Sequence, residues 1–266
     1  MTIWKTSHLS AGYNPTEGRI QNLNFELARG ERVAILGGER SGSYMLLRVL
    51  CGLRPRREGE LRVFGEEAPR LEFFDDWEHI FPRSLRTRMG VALERDGLLA
   101  NVAIREGFET VIRFGGGRLW DVAQVRTRVQ AVLELFGIAA LSRFRPHQLS
   151  LAERRFAALA RAALLEPEVY LFEGPSKGLD DRDRERLVYA FDKLVVGRSD
   201  QSLIMATEDW ALAMRYCPRV VVMEEGRIIF DGIWADMAKG CPQYWESITN
   251  SLKRRWELDA PLRAVV

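Results

Sequence analysis

The sequence predicts an α/β fold built on a largely parallel sheet. Short, wholly apolar segments recur along the chain, and segments with helical periodicity separate them, above all between about residues 100 and 165. Such alternation is typical of a parallel sheet covered by helices. A half-exposed strand is also expected at residues 22–27, where polar and apolar side chains alternate. The four buried-strand candidates are residues 33–36, 169–172, 203–206 and 220–223.

Composition excludes several classes of protein. The chain has 266 residues, of which 47% are apolar, so it can bury a sizeable core. A net charge of +2 argues against a strongly basic nucleic-acid-binding protein. Three cysteines argue against a disulfide framework and a tetrahedral zinc site, and they fit a reducing compartment. No apolar segment approaches the roughly 18–20 residues of a membrane helix and no signal peptide is recognisable, so we expect any membrane role to depend on a partner.

A glycine-rich loop follows the first buried-strand candidate and precedes a helical pattern, which is the outline of a phosphate-binding unit. The spacing of its glycines fits the pattern G-x-x-x-x-G-K-[ST], but the lysine is replaced by serine and the hydroxyl residue that binds Mg²⁺ by tyrosine. The loop amides could still hold an anion. Arg40 either restores part of the missing charge or faces solvent. The loop residues in question are Gly37, Gly38, Glu39, Arg40, Ser41, Gly42, Ser43 and Tyr44.

Two later stretches carry a family resemblance. Residues 148–162 read QLSLAERRFAALARA, and residues 166–180 read EPEVYLFEGPSKGLD. They resemble the LSGGQ signature helix and the Walker B strand with D-loop of ABC-transporter ATPases, and the match runs over about residues 5–235. The resemblance implies a P-loop (RecA-like) core with a mostly parallel sheet and an antiparallel β subdomain in residues 1–90 and 165–240. It also implies an inserted helical subdomain with Q-loop and signature in residues 91–164, and a C-terminal helical extension in residues 241–266.

The resemblance assigns a role to further residues. Tyr13 lies where the family keeps an aromatic residue that stacks on adenine, unless it is an ordinary surface aromatic. The Q-loop glutamine is Glu94, and the switch histidine is Glu208. The signature residues are Leu149, Ser150, Leu151, Ala152 and Glu153, and the D-loop residues are Gly178, Leu179 and Asp180.

The catalytic positions depart from the family pattern. The Walker B aspartate is Glu173, which could still hold a metal through water, and the general-base glutamate is Gly174, which cannot orient water. Leu151 replaces a signature glycine and is expected to block the close approach that glycine allows. Two alternatives remain open: Gly174 serves the turn before Pro175, and Glu208 caps the helix that follows it.

Together these departures predict a degenerate, non-hydrolysing subunit. We expect no resident cofactor or metal, although ATP with Mg²⁺ could still bind through the loop amides and Tyr13. The first alternative is an active ATPase in which Arg40 and Glu173 replace the lost groups. The second is a soluble, non-transport regulator that kept the ABC fold and binds another protein.

Some stretches resemble one branch of the family. Residues 88–91 (RMGV), 97–102 (GLLANV) and 146–150 (PHQLS) resemble the ATPase subunit of Mla/Mce-type phospholipid transporters. That resemblance implies a peripheral subunit on the cytoplasmic face of the inner membrane, bound to an integral membrane permease and contacting lipid only indirectly. It also implies a dimer, either with a second copy or with another ABC ATPase.

Two apolar surfaces have alternative readings. The groove expected to receive a permease helix is formed by about residues 95–113, although the same side chains could belong to the core. In the tail, apolar residues 245, 248, 252 and 256 share one helical stripe, which suits docking on the chain's own domain, on a partner subunit or on a membrane surface. The groove candidates are Leu98, Leu99, Val102, Ile104 and Phe108.

Overall fold

Six strands form the larger sheet of this computed structural model, in the order β10-β9-β3-β8-β7-β6. The five strands from β9 to β6 are parallel, and β10 runs antiparallel to β9 at one edge. The structure describes residues 1–12, 19–38, 40–69, 81–94, 97–115, 120–196, 198 and 200–256, with side chains up to residue 250. The strands are β3 (Arg32–Leu36), β6 (Met89–Ala92), β7 (Val169–Glu173), β8 (Ser202–Ala206), β9 (Arg219–Glu224) and β10 (Arg227–Ile233).

A second, antiparallel sheet has the order β2-β1-β4-β5. The alternation seen at residues 22–27 corresponds to alternating buried and exposed side chains along β2. The four predicted apolar strands lie in β3, β7, β8 and β9, which confirms the predicted fold class: a mostly parallel sheet with an antiparallel sheet beside it. The four strands of the second sheet are β1 (Thr2–Ala11), β2 (Ile20–Ala28), β4 (Arg56–Val63) and β5 (Glu66–Glu67).

Helices pack on the larger sheet, and several of them follow one another between two of its strands. Three of them, α3, α4 and α5, follow one another between β6 and β7, where helical periodicity dominates the sequence. Within the described part of the chain, no helix is both long and apolar enough to cross a membrane. The helices are α1 (Ser43–Leu50), α2 (Arg83–Arg86), α3 (Ile104–Gly115), α4 (Val122–Leu135), α5 (Leu151–Ala163), α6 (Asp181–Phe191), α7 (Trp210–Tyr216), α8 (Trp234–Gly240) and α9 (Pro242–Trp256).

Both faces of the larger sheet are buried, as its uniformly apolar strands require. Ala34 and Leu36 of β3 belong to a core shared with α3 to α7, whereas Val33 and Ile35 belong to a core shared with α1 and the antiparallel sheet. The tail contributes to the first core, since Ile248 of α9 is fully buried. The side chains of Leu252 and Trp256, which would extend this stripe, lie outside the described residues.

Arg88 joins the two sheets. Its guanidinium lies 3.5 Å from the centre of the Phe64 ring, at the end of β4. The same group donates to both carboxylate oxygens of Glu168, just before β7, at 2.5 and 3.2 Å. This hydrogen bonding is the main reason why the pKa of Glu168 lies below its usual value. One side chain therefore stacks on the antiparallel sheet and pairs with the parallel sheet.

Replacing Arg88 with methionine is expected to lower the free energy of unfolding by about 1–2 kcal/mol, because it removes a cation–π contact and a bidentate ion pair. The pair stabilises the fold fully above the unfolded-state pKa of Glu168, near 4.5, and this contribution is lost as pH falls through the lower folded-state pKa. Urea unfolding between pH 7 and pH 3 should therefore show a shallower acid loss in the variant. Arg227→Met, at an exposed position of β10, is the control; an equal effect there would contradict the assignment.

Candidate functional site

In the described part of the glycine-rich loop, the Ser41 hydroxyl is bonded to other groups of the loop. Gly42, with φ of 90°, precedes α1, and a Cβ at Gly37 would lie 2.3 Å from the Ser41 hydroxyl. That hydroxyl accepts from the backbone N–H of Ser43 at 3.2 Å and donates to the Ser43 hydroxyl at 3.0 Å. Ser43 is buried, so the lysine position holds a short, internally bonded side chain. Arg40 is exposed, as the solvent-facing alternative predicts.

Tyr44 occupies the side of the loop where the pattern expects a metal-binding hydroxyl. Its phenol oxygen lies 3.9 Å from the position that a Cβ at Gly174 would take. Burial is the main cause that raises the pKa of Tyr44, and the negative charges of Glu208, Glu173 and Glu94 add to it. The phenol is therefore neutral near pH 7 and lies among three carboxylates. Tyr13 and Glu39, the other predicted nucleotide contacts, lie outside the described residues.

Glu173 is held by an ion pair within the chain. It is the last residue of β7, and its side chain is fully buried. Arg48, one helical turn after Tyr44 in α1, donates through Nη2 to Oε1 at 2.7 Å and through Nε to Oε2 at 3.4 Å. Both carboxylate oxygens thus contact a guanidinium, which compensates the cost of burying the charge. Among the described residues, no group of three or more histidine, cysteine or acidic side chains could hold a metal ion.

Gly174 has a left-handed backbone, with φ of 52°. Its N–H donates to the carbonyl of Ala206 at 2.8 Å, and its carbonyl accepts from the N–H of Lys177 at 3.0 Å. A Cβ here would lie 3.4 Å from the Lys177 Cβ, an ordinary contact. The backbone conformation, rather than lack of space, is what suits glycine, which supports the interpretation that Gly174 serves the turn.

Glu94 and Lys177 form a second ion pair, with Nζ and Oε1 2.7 Å apart. The hydrogen bond from Lys177 is the main reason why the pKa of Glu94 lies below its usual value, and the same bond raises the pKa of Lys177. On its other side, the backbone before Glu94 is held by α5, since buried Arg155 donates to the carbonyls of Leu93 and Glu94 at 3.2 and 3.3 Å. The carboxylate at the Q-loop position is therefore already paired with a cation of the same chain.

The helix-capping interpretation of Glu208 is wrong by one residue. Glu208 is exposed, and Asp209 is the residue that caps α7, through a bond from the N–H of Leu212 to Oδ1 at 3.2 Å. Asp209 also accepts from the Ser176 hydroxyl at 2.7 Å and from Arg184. Sequence reasoning missed Asp209, although an aspartate directly before an apolar helical pattern is an ordinary capping signal.

The signature residues start α5. Ser150 caps the helix by accepting a hydrogen bond from the backbone N–H of Glu153 at 3.2 Å. In return, the Glu153 carboxylate accepts from the backbone N–H of Ser150 at 2.8 Å. Leu151 is 54% exposed, and its Cδ2 lies 2.9 Å from where a Cβ at Gly178 would stand. Leu149 is buried and Ala152 packs partly against the core.

In the D-loop, Leu179 is buried and Asp180 caps α6 by accepting from the N–H of Asp183 at 2.8 Å.

The predicted groove residues come together around one cavity of about 310 Å³, which we call the apolar groove. Ile104 and Phe108 form its buried floor and belong to the core, as the core reading of these two residues predicts. Leu99 is half exposed at the rim, and Phe114, which sequence reasoning missed, is 73% exposed there. The residues that define the groove are Leu98, Leu99, Val102, Ile104, Phe108 and Phe114.

Restoring the general base at Gly174 is expected to fail. Gly174→Glu and Gly174→Ala should each lower the free energy of unfolding by about 1–2 kcal/mol, because both force a side chain onto a left-handed backbone. Gly38→Ala is the control, since a Cβ there meets nothing within 4 Å, and it should be close to neutral by urea unfolding. A Gly174→Glu variant that is as stable as the parent and releases phosphate from ATP would refute this expectation.

Comparisons with known proteins identify the family and the fold. The family model described as "ABC transporter" matches residues 20–177. An ABC transporter ATP-binding protein of Methanosarcina mazei is 30% identical over 87% of this chain, which spans only 37% of that relative's length. The nickel import ATP-binding protein NikO of Rhodobacter capsulatus is 29% identical over 82% of this chain and 84% of its own length. A dimeric ATP-binding cassette bound to ADP and Pi shares the fold, with a TM-score of 0.75, 21% identity, and coverage of 87% of this chain and 98% of its own. Since the family match covers more than half of the sequence, this chain belongs to the ABC transporter family and contains its ATP-binding domain.

Proposed function

We propose that this chain is a degenerate, non-hydrolysing subunit with the fold of an ABC nucleotide-binding domain, and that it acts as scaffold and coupling subunit of a membrane transport complex. ABC cassettes normally bind ATP with Mg²⁺, dimerise, and work with integral membrane permease subunits. The proposal keeps the fold, the dimer and the permease, and removes hydrolysis. It also keeps the division into core, helical subdomain and C-terminal extension that the sequence suggests.

The ion pair between Arg48 and Glu173 carries this proposal. A carboxylate at the end of β7 would have to face a metal or its bound water to assist phosphoryl transfer. In this chain the carboxylate is buried against a guanidinium at 2.7 Å. A metal at this carboxylate would therefore have to displace the Arg48 guanidinium, which already compensates the buried charge.

Other contributions to phosphoryl transfer are missing in the same place. A buried serine stands at the lysine position, a neutral phenol at the metal ligand, and glycine at the general base. Exposed Glu208 adds a negative charge near Tyr44, which disfavours a triphosphate there by an amount that solvent screening reduces. Electrostatic stabilisation is the largest part of catalysis in this reaction class, so its loss argues against turnover.

The two alternatives have weaker support. An active ATPase would need Arg40 and Glu173 as substitutes, but Arg40 is exposed and Glu173 is already paired. A regulator that binds another protein would also fit the exposed apolar rim of the groove, and it has weaker support because the resemblance over about residues 5–235 is to transporter ATPases. Purification of this chain without any membrane protein would nevertheless favour the regulator.

Mla/Mce-type phospholipid transport is the finer form of the proposal. It is supported by residues 88–91, 97–102 and 146–150, and it places the chain peripherally on the cytoplasmic face of the inner membrane. In this form the chain pairs with itself or with a competent ABC ATPase, and it contacts the permease rather than lipid. A wholly degenerate dimer would act as a passive conduit or bridge for lipid.

Mg-ATP at millimolar concentration is expected neither to raise the Tm of the purified chain nor to be hydrolysed. Binding with a Kd a hundred times below the ATP concentration would stabilise the fold by about 2.7 kcal/mol, which a thermal shift detects. The double variant Ser43→Lys/Tyr44→Thr should gain a thermal shift but no phosphate release, because Gly174 and the Arg48–Glu173 pair remain. Turnover by the parent chain that Glu173→Gln abolishes would refute the proposal.

Leu99→Glu is expected to weaken association with the membrane partners roughly tenfold or more, because it places a charge at the rim of an apolar interface. Leu53→Glu is the matched control, since both leucines are about half exposed, at 50% and 49%. Both variants should fold, and co-purification of the tagged chain with its membrane partners measures the difference. Retention of the partners by Leu99→Glu, or equal loss in both variants, would contradict the assignment of the groove.

A further inference from the structure

Helix α1 meets the end of β7 through two side chains that lie one turn apart. Tyr44 and Arg48 are four residues apart in α1, so they share one face of the helix. Arg48 binds Glu173 at 2.7 Å, and the Tyr44 phenol oxygen lies 3.9 Å from the position that a Cβ at Gly174 would take. Two consecutive residues of the chain therefore face two successive turns of one helix. The ion pair fixes this register, and the register places Tyr44 beside Gly174.

The space beside Gly174 has neighbours from two elements. The Cβ and Cδ of Lys177 lie 3.4 and 3.7 Å from the position of a Cβ there, and the Tyr44 hydroxyl lies on the side of α1. These are ordinary van der Waals distances, so a single carbon fits. A longer side chain would have to continue between the aliphatic part of Lys177 and the phenol. Lys177 is also held at its far end, because its ammonium binds Glu94 at 2.7 Å.

The same space is already rich in negative charge. Burial is the main cause that raises the pKa of Tyr44. The charges of Glu208, Glu173 and Glu94 raise it further, so all three carboxylates lie close enough to act on the phenol. Glu173 and Glu94 each bind a cation of the chain at 2.7 Å. A carboxylate at residue 174 would be a fourth negative group, and it would compete for cations that are already paired.

We propose that Tyr44 closes the space beside Gly174, so that tyrosine at residue 44 and a carboxylate at residue 174 exclude each other. Two departures from the family pattern, the phenol at the metal-ligand position and the glycine at the general-base position, then form one packing arrangement. A glutamate at residue 174 could not be regained by a single substitution while Tyr44 remains. The inference goes beyond the proposed function, because it concerns which side chains can stand together and not whether ATP is hydrolysed.

Urea unfolding of the full-length chain in a double-variant cycle tests the proposal. Gly174→Glu should raise the equilibrium constant for unfolding more than Gly174→Ala does, because both variants strain the left-handed backbone but only glutamate extends past the first carbon. In a Tyr44→Thr background, the effect of Gly174→Glu should be roughly threefold smaller or less, a coupling usual for residues in contact. Gly174→Ala should combine with Tyr44→Thr additively, to within about twofold.

Tyr189→Thr is the matched control, since Tyr189 lies in α6 and is 59% exposed, and it should combine additively with Gly174→Glu. Additivity of Gly174→Glu and Tyr44→Thr would overturn the proposal. An equal coupling for Gly174→Ala would overturn it too, because backbone strain alone would then explain the result. If Gly174→Glu does not fold, Gly174→Asn takes its place in the cycle, since asparagine tolerates a left-handed backbone and also extends past the first carbon. ATP hydrolysis by the parent chain would refute the proposed function and leave the outcome of these cycles unchanged.

Discussion

The buried carboxylate of Glu173 is the constraint on which the rest of the site depends. It lies at the end of a central strand with no exposed surface, so the protein must supply a positive partner. Arg48 supplies it from α1, which fixes the face of that helix toward β7. Tyr44, one turn earlier on the same helix, is thereby placed beside Gly174. A salt bridge between two elements thus determines which side chains surround Gly174.

Around this pair, the chain satisfies groups that would otherwise contact a ligand. The Ser41 hydroxyl accepts from a loop amide, Lys177 pairs with Glu94, and Asp209 binds Ser176. Each of these contacts is internal, and together they join the glycine-rich loop, the Q-loop position and the start of α7. The chain has the fold of an ATP-binding cassette, and under the proposed function these internal contacts take the place of contacts to a nucleotide.

Much of the fold could be predicted from the sequence because it depends on local patterns. The uniformly apolar segments in β3, β7, β8 and β9 require burial on both faces, and a parallel sheet provides it. The partner of Glu173 could not be predicted, since Arg48 is 125 residues away and nothing local marks it among 39 basic residues. The pairing of Lys177 with Glu94 could not be predicted either, because the two residues are far apart in the sequence and nothing local marks them as partners. The sequence alone does not show which of two adjacent acidic residues caps α7. Glu208 and Asp209 are both acidic, and only the backbone geometry identifies Asp209 as the cap.

The apolar groove separates two kinds of residue that evolve under different constraints. Ile104 and Phe108 at its floor also complete the core, so substitutions there change stability and shape at once. Leu99 and Phe114 at the rim are exposed and contribute little to the core, so they are free to change with a partner. Under the proposed function, a lineage could therefore exchange one membrane partner for another by altering the rim alone, while the shape of the cavity is inherited unchanged.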